Sequence, residues 1–70
     1  MTYAELKKLT SGKEMPLSAE NEEGENVIIV GGYSEDAQMY FYEVRTYQYN
    51  HWTRINIFWE DGTIEELFDK

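Results

Sequence analysis

Two short turn signals, Tyr49-Asn50-His51-Trp52 and Glu60-Asp61-Gly62-Thr63, divide the C-terminal half of this chain into runs with the alternation of strands. Each hairpin fixes a register. The register in turn decides which side chains share a face, because side chains alternate across a strand. With Asn50 and His51 as the central residues of the first turn, Tyr49 pairs with Trp52, Tyr47 with Arg54, Val44 with Ile57 and Tyr42 with Trp59. With Asp61 and Gly62 central in the second, Trp59 pairs with Ile64, Ile57 with Glu66 and Ile55 with Phe68. Asp-Gly is the stronger signal. Both central positions of such a turn need left-handed backbone, which glycine adopts freely and Asp or Asn tolerates, whereas His51 is a poor occupant; that leaves room for a longer first turn.

Upstream, Thr2-Tyr3-Ala4-Glu5 has the spacing of a capping box and starts a helix over about 3–11, with Tyr3, Leu6 and Leu9 on one stripe and Gly12 placed to end it. A helix this short has no stability alone in water, so its stripe must dock on the sheet. Met15 and Leu17 flank Pro16 in an extended connection. The stretch at about 18–26 is acidic, holds no apolar residue larger than alanine and reads as a mobile surface loop. Val27-Ile28-Ile29-Val30 is then a strand stopped by Gly31-Gly32, followed by a turn at Ser34-Glu35-Asp36. Ser34 also has the look of a helix cap, but the run from Met39 to Tyr49 is too rich in aromatic and β-branched residues for a helix. The expected fold is α+β: a short N-terminal helix packed on one face of a four-stranded antiparallel β-meander, with strands at about 27–32, 38–48, 53–60 and 63–68 in one domain.

The predicted register puts Tyr40, Tyr42, Val44 and Thr46 with Ile55, Ile57 and Trp59, and adds Ile64 and Phe68, to make a core face beneath the helix. The opposite face is mixed. Met39, Phe41, Phe58 and Leu67 gather at one end of it and Tyr47, Tyr49 and Trp52 at the other, with Glu43, Arg45, Arg54 and Asn56 between. Large side chains on an exposed sheet face stabilise cross-strand pairs, which is one sufficient reason for them. They are also the residue types enriched where proteins meet, so Met39, Phe41, Arg45, Tyr47, Tyr49, Trp52, Arg54, Phe58 and Leu67 form a candidate interaction surface for another protein or a second copy.

Composition limits the alternatives. Seventy residues hide only about 60% of the surface their unfolded chain exposes, and a core this small supplies roughly 3–5 kcal/mol with no cysteine to add a disulfide. The net charge of −8 disfavours direct nucleic-acid binding: Lys7, Lys8, Lys13, Arg45, Arg54 and Lys70 are too thin a track against fourteen acids, whatever stacking Tyr47, Tyr49 and Trp52 offer. The reverse idea is an acidic inhibitor whose Glu20, Glu22, Glu23 and Glu25 imitate phosphates in a basic site. The absence of cysteine, of a leader and of a long apolar run suits a cytoplasmic chain that spans no membrane.

Chemistry finds little support. His51 sits alone in a turn, zinc has no thiolate or second imidazole to bind, and the acidic stretch lacks the ligand spacing of a calcium loop. Glu66 is the single acid on the predicted core face, at an edge where its carboxylate reaches solvent. No enzyme, cofactor or metal is expected.

Overall fold

The computed structural model describes residues 1–68; Lys70, counted above among the bases, lies outside them. Helix α1, Tyr3–Thr10, begins where the Thr2 hydroxyl accepts a hydrogen bond from the Glu5 amide at 3.2 Å. It ends at Ser11, with Gly12 in left-handed backbone (φ 74°) and the Lys13 amide donating to the Thr10 carbonyl. Leu6 is fully buried and Tyr3 half-buried, as the stripe requires. Leu9, however, stays 43% exposed, and Thr10 replaces it on the inner side. Residues 3, 6 and 10 lie closer to one line on a helix than 3, 6 and 9 because each turn takes 3.6 residues. The Thr10 hydroxyl donates to the Leu6 carbonyl at 2.9 Å and lies 3.1 Å from the Tyr42 hydroxyl, so its burial leaves no polar group stranded.

Five strands follow, not four: β1 Leu17–Glu20, β2 Asn26–Ser34, β3 Met39–Gln48, β4 His51–Trp59 and β5 Ile64–Phe68. They form one antiparallel sheet in the order β1-β2-β3-β4-β5. The added strand corrects the mobile loop expected at about 18–26. Its acidic composition hid an alternation in which Leu17 and Ala19 turn inward while Ser18 and Glu20 face out. Asn21 closes the hairpin. Its side-chain oxygen accepts from the Glu23 and Glu25 amides at 3.0 and 2.9 Å, and Gly24 supplies the positive φ.

Gly31-Gly32 does not stop β2 either. The strand runs on to Ser34 because aromatic rings lie over the bare backbone: a Cβ on Gly31 would sit 3.0 Å from the Tyr42 ring, and one on Gly32 3.1 Å from the Phe41 ring. The chain then turns at Ser34, whose hydroxyl accepts from the Ala37 amide. Strand β3 follows as expected, without a helix.

The core lies between α1 and the middle of the sheet, where Leu6 meets Val27, Ile29, Val44 and Phe58, with Tyr3, Met15, Leu17, Ala19 and Tyr42 packed around them. An eight-residue helix is about 12 Å long and cannot roof five strands. Beside it, the same face leaves a cavity of about 300 Å³ with Val27, Val44 and Phe58 among its walls.

Candidate interaction surface

Both hairpins sit one residue away from the predicted register. In the first, the left-handed pair is Tyr49 and Asn50 (φ 52° and 68°), not Asn50 and His51, so Gln48 faces His51. A bulge between Thr46 and Tyr47 then shifts the ladder again and leaves Val44 opposite Asn56 and Tyr42 opposite Phe58. The second turn has three residues instead of two. The Gly62 amide donates to the Trp59 carbonyl, the Trp59 amide donates to the Thr63 carbonyl, and Gly62 takes φ 93°, which pairs Phe58 with Ile64.

The two displacements cancel at β5, whose Ile64, Glu66 and Phe68 keep the helix side, and only β4 is inverted. Phe58 moves into the core. Arg54 and Asn56 go with it to the helix side, where Arg54 Nη2 lies 3.7 Å from Glu25 and Asn56 donates to Glu66 at 2.9 Å. Ile55, Ile57 and Trp59, expected in the core, face the other way.

Of the nine residues proposed for the surface, Met39, Phe41, Arg45, Tyr47, Trp52 and Leu67 therefore share the outer face, and Arg54 and Phe58 do not. Trp52 stays with Tyr47 only because of the bulge. Tyr49 belongs to neither face: it stands at the turn tip, 92% exposed. Sequence reasoning missed Ile28, Val30, Ile55, Ile57 and Trp59. The poor fit of His51 to left-handed backbone was the available signal for the turn, but moving the turn back by one residue shifts the pairing by two and keeps Ile55, Ile57 and Trp59 on the core face; the bulge between Thr46 and Tyr47 is what inverts β4.

The outer face is laid out in rows across the sheet. Ile28, Arg45, Ile55 and Leu67 form one, and Val30, Glu43, Ile57 and Glu65 the next. Aromatic pairs close both ends. Phe41 and Trp59 have ring centroids 5.4 Å apart, with Trp59 Nε1 donating to Glu65 at 3.2 Å, and Tyr47 faces Trp52 beyond the arginine row.

Glu43 and Arg45 sit in the middle of this face on the central strand. Arg45 Nε is 3.4 Å from Glu43 Oε1 but off the line of a hydrogen bond and is left without a partner, while Nη2 donates to Oε2 at 3.4 Å. This is a loose ion pair. It still holds the guanidinium above its ordinary value, chiefly through hydrogen bonding to Glu43. The Arg45 side chain remains 42% exposed.

The acidic residues of the alternative proposal do not make a uniform array. Glu20 ends β1, and Glu22 and Glu23 are exposed at the turn. Glu25 folds back, accepting from Asn21 Nδ2 at 2.9 Å; that bond first, and the Arg54 charge after it, hold its carboxyl below the ordinary range. His51 is exposed at the start of β4. Among the described residues, no three His, Asp or Glu side chains converge to hold a metal ion, and no helix is long and apolar enough to cross a membrane. No protein-family model matches the chain, and no curated protein or solved structure resembles it closely enough to count as a match.

Proposed function

We propose that this chain is a non-enzymatic protein–protein interaction module, cytoplasmic in setting, that binds through the sheet face turned away from α1. One observation carries the reading: among the described residues no helix or further strand packs on the face where Val30, Phe41, Ile57 and Trp59, each half-buried among its neighbours, stand in adjacent rows. Isolated apolar side chains are ordinary on a protein surface, but a set spanning three neighbouring strands around one acid and one base is the mixture found where proteins associate. The flanking Tyr47/Trp52 pair supplies the anchor types common at the centres of interfaces. The inversion of β4 strengthens the reading, because it exchanges Arg54, Asn56 and Phe58 for two isoleucines and a tryptophan.

The acidic-inhibitor alternative draws less support, since Glu25 is engaged within its own hairpin. A photo-crosslinking residue at position 57 tests the interaction reading in cells that produce the chain. It captures a protein, whether a copy or another chain, whereas the same group at exposed Lys7 does not. Equal capture at both positions, or none at 57, contradicts the proposal.

A further inference from the structure

We propose that the occupant of the outer face is the same face of a second copy, giving a two-layer sandwich around a two-fold axis. This rests on the interaction reading above and commits it to one partner. The basis is the order of residues along the strands. The central strand carries an acid and a base, Glu43 and Arg45, two positions apart. A two-fold axis lying in the interface, across the strands and midway between them, sets each Glu43 opposite the copy's Arg45.

On β2 and β4 the same operation sets Ile28 against the copy's Val30, and Ile55, only 8% exposed among its own neighbours, against the copy's Ile57, so β-branched side chains flank the charge pairs; on β5 it sets Leu67 against Glu65. The aromatic ends exchange too: Phe41 and Trp59 of one copy cover Tyr47 and Trp52 of the other. A face with both charges of one sign, or with aromatic rings at one end only, has no such self-complementarity.

Size is of the right order. The strands, only four residues long at β1 and five at β5, cover roughly 600 Å² in projection before side-chain relief, against the ~800 Å² per partner of a stable interface. Aligned packing at about 30° is the usual way for two twisted sheets to cover each other. Each copy carries −8, and three of the four strand acids, Glu20, Glu43 and Glu65, lie on this face beside the one strand arginine there, Arg45, so the charge complementarity rests on the Glu43–Arg45 pairs alone.

Sedimentation equilibrium of the full chain from roughly 1 to 300 μM, a span that brackets micromolar dissociation, reads the result. Wild type is expected to dimerise. Glu43→Arg and Arg45→Glu each place like charges opposite one another and weaken dimerisation by more than about tenfold, while an equimolar mixture of the two variants restores it as a heterodimer. If one single variant loses the wild-type circular-dichroism spectrum, the other single variant and the double swap E43R/R45E decide together: the pairing is right if the single variant weakens dimerisation and the swap restores it, and wrong if the two dimerise equally. A wild-type dimer that both single variants leave intact overturns the placement. A wild-type monomer throughout the range overturns self-association. The crosslink at position 57 then separates the two cases: capture of another protein leaves the interaction reading standing, and no capture removes it as well.

Discussion

Gly31 and Gly32 have the same residue type and nearly the same clearance, but the rings above them are held differently. The Tyr42 ring over Gly31 is fixed by Tyr3, 5.2 Å away between centroids, and by the Thr10 hydroxyl. The Phe41 ring over Gly32 stands on the open face and has Trp59 as its neighbour. Gly31→Ala therefore forces a packed ring to move and costs about 1–3 kcal/mol, and Gly32→Ala costs less than about 1 kcal/mol, as measured by urea unfolding of the two variants. Asn21 gives a second test at this scale. The Glu25 carboxyl is depressed in the folded state, so its contribution is present above the ordinary glutamate range and is lost as pH falls through the lowered folded value. Asn21→Ala removes the principal cause along with two backbone hydrogen bonds, so it destabilises the chain at neutral pH, and its gap from wild type narrows in acid. Unfolding curves recorded at about pH 7 and about pH 3 measure that gap, on either side of most of the glutamate titration range.

At the scale of elements, helix and strands differ in how much of them the residues disclose. The start of α1 is legible because Thr2 and Glu5 state a local hydrogen bond, and its end because Gly12 fits left-handed backbone. Strand β3 is legible from its aromatic and β-branched run. The orientation of β4 is not, since it depends on single residues in the connections: the turn at Tyr49-Asn50 moves the ladder by two and keeps its faces, while the bulge and the three-residue second turn each move it by one and exchange them. Apolar patterning offers no correction. Ile55, Ile57 and Trp59 on one side of β4 and Phe58 on the other are equally plausible core residues when the sheet is apolar on both faces. Strand β1 was hidden for a different reason, that an edge strand of four residues with two acids beside it has the composition of a loop. The first turn supplies the prediction proper to this scale. Tyr49 is a bulky residue at φ 52°, so replacing Tyr49-Asn50 with Asn-Gly relieves it and raises stability by about 0.5–1 kcal/mol in thermal unfolding, without changing the register.

For the whole molecule, a small core and an uncovered face are one fact seen twice. Only Leu6 of the helix is a fully buried apolar anchor, and the cluster it joins has four other buried members, Val27, Ile29, Val44 and Phe58. Leu6→Ala is expected to cost about 2–5 kcal/mol, comparable with the entire stability of a domain this size, and to abolish the cooperative thermal transition. Leu9→Ala, on the exposed side of α1, leaves that transition in place. Covering the second face by association gives such a chain the apolar burial that its own length does not provide. That account depends throughout on which way β4 faces. Cross-strand backbone nuclear Overhauser contacts measure it directly: contacts linking Val44 with Asn56 and Phe58 with Ile64 are predicted. Contacts linking Val44 with Ile57 and Trp59 with Ile64 would return the two isoleucines and Trp59 to the core and remove the outer face on which the proposed function stands.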